Sequence, residues 1–426
     1  MTIIQDSAQK IAVIGSGIAG LSAGQLLKNS FQVTVFEQQP NPGGLIKCNR
    51  IRGNLFHRVG GHVFNSQNQD VLNWFWNFFN RDKEFLKAKR NAKIWMDGKL
   101  VGYPLENHLW QLDRQVAETV LDELLAIHGS ETNAKTVEAN NFQDFLKASF
   151  GETLFKIYFG PYNQKIWNTP LKDVPLGWLD GKLPMPKLKQ ILSSNIIRQE
   201  EAGMVHATFY YPKDDGSQFI VNRLAQGLDI HTSTTVTALE KTQTGWLVNG
   251  EPFSKVIFTG DVRTLVHTLQ EVEPSIFKAI EAVKNLPSNG TSNLLCETDE
   301  TDISWLYLSD PDVLAHRIIY TGGFSSSNNR GNGRMSCVVE FSGSHKPKTM
   351  EEEIGKLPGN LSPLGHNYEP NSYVIQQPNT RALIEKLKGL LEPHGMYLAG
   401  RFAEWEYYNM DKAIEASMKV ACKICS

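Results

Sequence analysis

Three glycines near the start of the sequence have the spacing of a phosphate-binding loop. Gly15, Gly17 and Gly20 form GxGxxG between an apolar, β-branched run and a helical pattern. The first glycine allows a tight turn, the second admits a diphosphate close to the backbone, and the third lets the helix pack on the strand. The unpaired N–H groups at the helix start favour an anion. Glu37 ends the next strand about 20 residues on, where a carboxylate can bind a ribose, so the spacing predicts a dinucleotide site.

The elements that must position this loop follow a strand–helix–strand order. Residues 10–35 read as a buried strand, the glycine turn, a helix and a second strand, which is typical of the βαβ unit that opens a doubly wound sheet. Aromatic-rich helical patterns follow from 70 to about 192, and short β runs return between 208 and 259. Strand patterns from 292 to 342 predict a second, mostly antiparallel sheet. Within them SSSNNRGNG, at 325–333, predicts a mobile loop, and its part from Asn328 to Gly333 is expected to close over a substrate.

Composition limits the classes of protein that fit. The chain has 426 residues, 41% hydrophobic and 21% charged, as in a globular protein with more than one lobe. A net charge of −2 argues against a general affinity for nucleic acid or membrane surfaces. No apolar run approaches the roughly 20 residues of a bilayer span, and the start lacks a signal segment, so a cytoplasmic protein is expected. Cys422 and Cys425 form a CxxC with no second pair nearby, so free thiols and no metal site are predicted.

The segments after Glu37 decide which dinucleotide is expected. The pair Gly43 and Gly44, followed by FHRVGGHVF at 56–64, resembles the flavoprotein group that includes amine oxidases, protoporphyrinogen oxidases and UDP-galactopyranose mutases. GRFAEWEYYNMD at 400–411 resembles the closing motif of the mutases, which holds the ribityl and diphosphate part of the flavin. The resemblance implies FAD as the cofactor. The cofactor-binding residues it implies are Gly15, Gly17, Gly20, Glu37, Gly43, Gly44, Gly61, His62, Val236, Arg401, Asn409, Met410 and Asp411.

The expected fold class is therefore α/β. A Rossmann-like FAD-binding domain carries an inserted helical domain and a second, mostly antiparallel sheet domain. The FAD-binding domain is expected in three parts, at 1–69, 193–265 and 386–426. Between them we expect a helical substrate domain at 70–192 and a sheet substrate domain at 266–385.

Four further segments resemble the substrate-binding segments of UDP-galactopyranose mutases. They are GYPLEN at 102–107, PYNQKIW at 161–167, WLYL at 305–308 and HRIIY at 316–320. By that resemblance the base and the sugar–diphosphate part of a nucleotide sugar are bound by aromatic, amide and cationic side chains. The implied residues are Tyr103 and Tyr158 on either side of a uracil, Asn163 bonded to it, Trp167 lining the sugar pocket, and Tyr307, Arg317 and Tyr407 around the diphosphate and galactose.

The residue types agree with such a ligand. A nucleotide sugar needs flat faces for its base, with cations and phenol hydroxyls for its diphosphate. Arg317 lies inside an apolar β run, where burying an unpaired guanidinium would cost several kcal/mol, so it is expected to face an anion or a carboxylate. For Tyr158 and Trp167 taken singly, a place in the core of a helical lobe is the competing interpretation. His62 alone is equally consistent with a turn histidine and an active-site group.

Three positions depart from the pattern of the mutases. Lys182 stands where they have a diphosphate-binding arginine, which keeps the charge and loses the bidentate fork. Glu106 stands where a glutamine reads the uracil edge, and an ionised carboxylate only accepts hydrogen bonds. Tyr373, in SYVIQQP, is displaced by about two positions from a phenol of the family. These changes leave the sugar and the base open.

The resemblance implies a mutase that interconverts the pyranose and furanose forms of a nucleotide sugar, UDP-galactose or a close analogue, for cell-surface polysaccharide biosynthesis. Reduced FAD would attack the anomeric carbon through N5, and the opened sugar would reclose as a furanose. Arg317 and Lys182 would stabilise the departing diphosphate and His62 would tune the flavin, so these three are the expected catalytic residues.

Expected partners are the nucleotide sugar and an electron donor such as NAD(P)H or a reductase, with neither nucleic acid nor membrane, and a homo-oligomer stays open. Two alternatives remain at this point. One is an FAD-dependent oxidoreductase of the amine-oxidase type, and the other is a relative that binds a nucleotide sugar without turning it over.

Overall fold

A computed structural model describes residues 9–128, 139–176, 187–198, 208–270, 272–331 and 333–426. The strands, in chain order, are β1 (Lys10–Ile14), β2 (Gln32–Phe36), β3 (Cys48–Ile51), β4 (Asn54–His57), β5 (Phe85–Lys89), β6 (Ala92–Met96), β7 (Lys99–Gly102), β8 (Thr208–Pro212), β9 (Asp229–His231), β10 (Leu239–Lys241), β11 (Trp246–Val248), β12 (Glu251–Phe253), β13 (Lys255–Phe258), β14 (Leu269–Gln270), β15 (Ser288–Thr298), β16 (Trp305–Leu308), β17 (Ala315–Ile319), β18 (Met335–Ser342), β19 (Ser362–Val374) and β20 (Met396–Leu398). The α-helices are α1 (Ile18–Leu27), α2 (Gln69–Trp76), α3 (Arg81–Glu84), α4 (Arg114–His128), α5 (Phe142–Leu154), α6 (Gly160–Trp167), α7 (Leu188–Ile197), α8 (Gly216–Ala225), α9 (Leu265–Thr268), α10 (Pro274–Val283), α11 (Pro347–Glu353), α12 (Thr380–Leu391) and α13 (Met410–Cys425).

A five-stranded parallel sheet carries the glycine loop. Its strand order is β20-β13-β1-β2-β9, and β1 pairs in parallel with both β2 and β13. The central strands are apolar because both faces of the sheet are covered, one by α1 and α13 and the other by the β10–β12 strands together with α10 and α12. On one face α1 packs against α13, where the Ser417 hydroxyl donates to the carbonyl of Ala19 at 2.8 Å. The predicted fold class, including the Rossmann-like sheet, is confirmed.

A seven-stranded sheet forms the second large layer. Its order is β19-β15-β18-β17-β16-β6-β7, and every pairing is antiparallel except that between β16 and β6. The last two strands in this order, β6 and β7, lie within residues 85–102, for which the sequence predicted helix. Strand β5, which belongs to another sheet, comes from the same segment. That prediction was wrong there because Ala92–Met96 alternates buried and half-buried residues with period two, which suits a strand covered on one side. The mostly antiparallel character was predicted correctly.

The helical lobe packs on one face of this sheet. Helices α5 and α6 are joined by a π-helical turn at Phe155–Phe159, and α5 bends at Gly151, whose φ is 89°. The lobe is fastened to the sheet by Lys165, whose ammonium donates to the main-chain oxygens of Leu308 at 3.0 Å, Ala315 at 3.4 Å and Asp310. Burial lowers the pKa of Lys165 to about 8. One side chain thus satisfies three main-chain carbonyl groups around the turn between β16 and β17.

Smaller sheets complete the described fold. β3 pairs with β4, β5 pairs with β8, and β10, β11, β12 and β14 form a four-stranded sheet. None of the described helices has both the length and the apolar composition that a membrane span would need.

The predicted mobile loop at 325–333 is held in place where the structure describes it. The Ser325 and Ser327 hydroxyls each donate to the carbonyl of Lys213 at 2.6 Å, and the Asn328 amide donates to the Tyr211 hydroxyl at 2.9 Å. Asn328 is fully buried. These side chains anchor the first part of the loop. Closure of residues 328–333 over a substrate stays a prediction.

The third glycine of the loop offers a test of the strand–helix packing. A Cβ on Gly20 would lie 1.9 Å from the carbonyl oxygen of Gly15. We expect Gly20→Ala to lower the free energy of unfolding by about 2 kcal/mol or more, since a backbone oxygen cannot move aside. In α12, a Cβ on Gly389 meets nothing within 4 Å, so Gly389→Ala should stabilise by roughly 0.5–1 kcal/mol. Equal effects in urea denaturation would contradict this account of the loop.

Candidate functional site

The glycine loop and the second glycine turn lie against each other. The carboxylate of Glu37 accepts from the Ser16 N–H at 3.0 Å and from the Ser16 hydroxyl at 2.5 Å. The Gly43 N–H donates to the carbonyl of Ser16 at 3.0 Å, and a Cβ on Gly44 would lie 3.1 Å from the Cα of Gly17. The structure therefore brings these predicted positions together, and the Glu37 carboxylate holds the loop through its two hydrogen bonds with Ser16.

The start of α1 has the chemistry that an anionic cofactor requires. Gly17 caps the helix without a side-chain hydrogen bond, and the first turn carries no acidic residue. The N–H groups and the positive dipole end can therefore receive a diphosphate. At the start of α13, Met410 packs in one apolar cluster with Leu21 and Ile46, and the Asp411 carboxylate accepts from the Ser66 hydroxyl at 3.2 Å.

His62 is a half-buried histidine next to this end of the site. Its Nε2 is buried and has no hydrogen-bond partner among the described residues. Burial, with Arg401 second, lowers the pKa of His62 to about 4, so the imidazole is neutral at pH 7. Glu340 and Arg317 also act on this pKa, which places His62 between the cofactor end and the seven-stranded sheet. An unpartnered buried nitrogen here fits a flavin ring as its neighbour.

A row of polar side chains crosses the seven-stranded sheet at one level. Adjacent strands pair Tyr307 with Arg317, Arg317 with Glu340, Glu340 with Asn293, and Asn293 with Asn367. Residues paired in register point to the same face of a sheet, so these five side chains form a continuous polar row under the helical lobe.

A buried ion pair lies in the middle of this row. The Arg317 Nε donates to Glu340 Oε2 at 2.5 Å, and its Nη2 donates to the Tyr373 hydroxyl at 3.0 Å. The carboxylate is 1% exposed and the guanidinium 22%. Despite burial, Arg317 lowers the pKa of Glu340, and Glu340 raises the pKa of Arg317, so both stay charged. The expectation that Arg317 faces an anion or a carboxylate is met by Glu340.

A β-bulge places a histidine next to the same carboxylate. Between Ala315 and Arg317 strand β17 advances two residues while β18 advances one, which leaves His316 as the extra residue. His316 is fully buried, its Nε2 lies 3.8 Å from Glu340 Oε2, and neither ring nitrogen has a hydrogen-bond partner among the described residues. Burial lowers its pKa to about 3, so it is neutral.

The loop that contains His62 lies across the polar row. Arg58 donates to Asn367 Oδ1 from Nε at 3.1 Å and from Nη2 at 2.6 Å, and the Gly60 N–H donates to Asn293 Oδ1 at 3.0 Å. Gly60 has a φ of 63°, and a Cβ there would lie 3.4 Å from Arg317 Nη2. Glycine is favoured because this φ lies in the left-handed region, which other residues adopt with strain.

Four tyrosines continue the site toward the helical lobe. The ring of Tyr307 lies 4.9 Å from that of Tyr103 and 5.2 Å from that of Tyr162. Tyr162 in turn stacks on Tyr158 at 5.5 Å. Burial raises the pKa of both Tyr158 and Tyr162 well above the usual value, so their hydroxyls stay protonated. The cluster offers neutral phenols and flat faces.

Arg90 adds a second guanidinium to this cluster. It donates to the hydroxyl of Tyr307, and its Cζ lies 5.0 Å from the ring centre of Tyr103, 5.5 Å from that of Trp305 and 5.8 Å from that of Tyr307. Cation–π contacts thus help to hold the guanidinium over the tyrosine cluster.

On the other side of the ion pair, two more tyrosines connect the row to the closing motif. Tyr373 stacks on Tyr407 at 5.7 Å, and the Cζ of Arg401 lies 4.9 Å from the ring centre of Tyr407. Arg401 is fixed by donating to the carbonyl of Ser372 at 2.9 Å and to that of Tyr408 at 3.0 Å. A continuous chain of phenols and guanidinium groups thus runs from Arg401 to Tyr103.

Glu106 lies beside the tyrosine cluster in the short turn at Leu105–Asn107. It is 4% exposed, and its Oε2 has no hydrogen-bond partner among the described residues. Burial raises the pKa of Glu106 to about 7, although its own backbone N–H opposes this. Glu106 contributes to the raised pKa of Tyr158, which places the two side chains near each other.

Some predicted residues contact their own helix or core instead. The Asn163 amide donates to the carbonyl of Phe159 at 2.8 Å, one turn back in the helix. Trp167 is buried in the apolar cluster that also contains the site tyrosines. Val236 packs with Ile14 near the ends of the parallel strands. Asn409 precedes α13, and Lys182 lies outside the described residues.

Sequence reasoning missed three residues of the site. Glu340 could have been found, since a carboxylate inside the apolar run MSCVVEFSG calls for the same buried partner that Arg317 does. Tyr162 follows Tyr158 by four residues, which places both on one helix face. For Arg90 no sequence signal exists, because it is an arginine ahead of a strand that was expected to be helix.

The fold and the glycine-loop site define a flavoprotein. The sequence model of the family described as flavin containing amine oxidoreductase matches residues 18–356, well over half of the chain. The chain belongs to this family, and a flavin is the cofactor that its fold and its loop accommodate.

Within that family the chain is similar to sugar mutases, so the resemblance predicted from the sequence is confirmed. It is 27% identical to dTDP-fucopyranose mutase of Escherichia coli over 41% of this chain and 46% of that protein, less than half of the relative's length. It is 19% identical to UDP-galactopyranose mutase of Mycoplasma genitalium over 98% of this chain and 95% of the relative. The solved structure of reduced UDP-galactopyranose mutase shares the fold, with a TM-score of 0.86, 22% identity and coverage of 98% and 95%.

The central ion pair gives a stability prediction. Glu340→Ala leaves a largely buried guanidinium without its carboxylate, so the free energy of unfolding should fall by about 3 kcal/mol or more. Glu118→Ala is the matched control, because the Arg114–Glu118 pair has the same kind of contact at 2.8 Å with side chains 91% and 61% exposed. It should change stability by less than about 1 kcal/mol. Similar losses in both variants by urea denaturation would refute a dominant role for the buried pair.

Three histidines with lowered pKa values predict how stability depends on pH. Burial lowers the pKa of His57 to about 3, of His62 to about 4 and of His316 to about 3. Unfolded histidines titrate near 6.5, so below that pH the unfolded chain binds more protons. Their stabilising effect is complete above pH 6.5 and is lost as the pH falls toward 3–4. His316→Leu should flatten this slope by about one proton, whereas His267→Gln, at an exposed position, should leave it unchanged.

Proposed function

We propose that this chain is a flavin-dependent mutase that interconverts the pyranose and furanose forms of a nucleotide sugar, either UDP-galactose or a close analogue such as a dTDP-sugar. The observation that carries the proposal is the chain of phenols and guanidinium groups that runs from Arg401 through Tyr407, Tyr373, Arg317 and Tyr307. The similarity to two sugar mutases supports the reaction type.

The charge balance of the site favours an anionic substrate. Arg317 and Arg401 supply two positive charges, and Glu340 is the described carboxylate that pairs with Arg317. The excess is positive, and neutral tyrosine hydroxyls surround it. A diphosphate gains charge-assisted hydrogen bonds there, whereas the ammonium group of an amine substrate would be repelled. This distinguishes the proposed substrate from that of an amine-oxidase-type enzyme built on the same fold.

A bound flavin would be held by the glycine loop, the Gly43–Gly44 turn and the start of α13. When reduced, it supplies a nucleophile for the anomeric carbon of the sugar. The neutral His62 would lie against it without adding charge, because its pKa of about 4 keeps it deprotonated at pH 7. An electron donor such as NAD(P)H or a reductase would maintain the reduced state.

The roles of the protein side chains follow from their positions. Arg317 would stabilise the negative charge that develops on the departing diphosphate, with Lys182 as a second cation. Tyr307 and Tyr407 would position the diphosphate by hydrogen bonding, and Tyr103 with Tyr158 would present flat faces to the base. Glu340 acts through Arg317, since it fixes the Nε side of the guanidinium and leaves Nη1 without a hydrogen bond to the described residues.

The test uses the purified flavoprotein under anaerobic conditions, with and without dithionite. It is incubated with UDP-galactopyranose, UDP-galactofuranose and a panel of dTDP- and GDP-sugars, and the products are separated by chromatography. Interconversion of one pyranose–furanose pair in the reduced state alone is expected. Arg317→Lys should lower kcat about 10²-fold with a smaller change in KM, because the lost fork acts on developing charge.

Other outcomes would assign the protein elsewhere. Bleaching of the oxidised flavin by an amine, with no sugar interconverted, would favour an oxidoreductase. Tight binding of a nucleotide sugar without turnover in the reduced state would favour a binding protein. Either result would contradict the mutase proposal.

A further inference from the structure

We propose that Glu106 selects the nucleobase: as an undissociated carboxylic acid it pairs with the imide edge of uracil or thymine, and once ionised it favours guanine. This inference rests on the proposed function only in taking the ligand to be a nucleotide. It concerns binding, so it can be tested without turnover.

The geometry provides a polar group without a partner next to flat aromatic faces. Glu106 Oε2 is buried and has no hydrogen-bond partner among the described residues. The turn that carries it is fixed at both ends, because the Asn195 amide donates to the Glu106 carbonyl at 2.9 Å and His108 Nδ1 donates to the carbonyl of Pro104 at 2.8 Å. Tyr103 begins the same turn, and Tyr158 lies near the carboxyl. A buried acceptor that the protein itself does not use calls for a ligand group.

The chemistry of the two ionisation states decides the base. A neutral carboxyl presents one O–H donor and one C=O acceptor side by side. The imide of uracil or thymine presents the complement, an N–H next to a carbonyl. An ionised carboxylate only accepts, and it matches the two neighbouring N–H donors on the edge of guanine. A glutamine would behave as the neutral acid does at every pH.

The surroundings keep the neutral form populated near neutrality. Burial raises the pKa of Glu106 to about 7, and no charged side chain contributes to the shift. The groups that face it from the packed elements are the Tyr158 phenol from the π-helical turn, Tyr103 and the His108 imidazole from its own loop, and the uncharged Asn195 amide from α7.

The experiment measures binding of UDP-glucose, dTDP-glucose and GDP-mannose to the oxidised flavoprotein by calorimetry between pH 6 and 8.5. The diphosphate diester of these probes does not titrate in this range, so a pH effect reports on the protein. Wild-type Kd values for the two pyrimidine probes should rise toward tenfold per pH unit above the pKa of Glu106, while GDP-mannose binding improves. Glu106→Gln should bind the pyrimidine probes as tightly as the wild type does at pH 6, with no pH dependence.

Glu118→Gln, which removes an exposed carboxylate in the helical lobe, should keep the wild-type slope. A flat wild-type profile, the same slope in Glu106→Gln, or no binding of any probe would each overturn the inference. A carboxylic-acid C=O band at pH 6 that disappears in Glu106→Gln, seen by infrared difference spectroscopy, would support it independently. If binding follows the expected pattern but no sugar is interconverted, the mutase proposal fails and the role of Glu106 stands. If a sugar is interconverted but binding does not depend on pH, the mutase proposal stands and the role of Glu106 fails.

Discussion

The buried pair of Arg317 and Glu340 is the interaction on which the rest of the site depends. Two opposite charges in the middle of a sheet are tolerable only if each has hydrogen bonds to replace water. The structure provides them through the Tyr373 hydroxyl, which accepts from Arg317 Nη2 at 3.0 Å and donates to Glu340 Oε1 at 3.4 Å, while the loop at Gly60 lies against the pair. The same pair therefore fixes a tyrosine, a loop and, through the bulge at His316, the local shape of strand β17.

This constraint also joins the two halves of the molecule. The loop at Arg58–Gly60 bonds to the sheet through Asn367 and Asn293, and it continues into His62. On the far side Tyr373 stacks on Tyr407. The guanidinium of Arg401, from the closing motif of the parallel-sheet domain, lies over the ring of Tyr407. The first connection reaches Asn293, the cross-strand neighbour of Glu340, and the second reaches Arg317 and Glu340 through the Tyr373 hydroxyl, so both lead to the same part of the polar row.

The parts that the sequence predicted are those with a local physical signature. The GxGxxG loop, Glu37 and the second glycine turn are close in the chain and obey known backbone requirements, so their assembly could be expected. Arg317 was predicted to have an anionic partner because of its burial in a strand. Its identity, Glu340, depends on strand register, and the contacts of Arg90 depend on β6 lying beside β16, a parallel pairing between segments about 200 residues apart. Such non-local pairings leave no periodic trace in one sequence.

The site contains two kinds of ionisable group: a pair of opposite charges, Arg317 and Glu340, and a single carboxyl group, Glu106. Arg317 and Glu340 are both ionised, and each stabilises the charge of the other, so this part of the site keeps its charges over a wide range of pH. Glu106 has no such charged partner, and burial is the main cause of its raised pKa. Under the two proposals, affinity for the diphosphate would thus be independent of pH, whereas recognition of the base would not. A chain with glutamine at position 106 would lose that distinction while keeping every contact in the polar row.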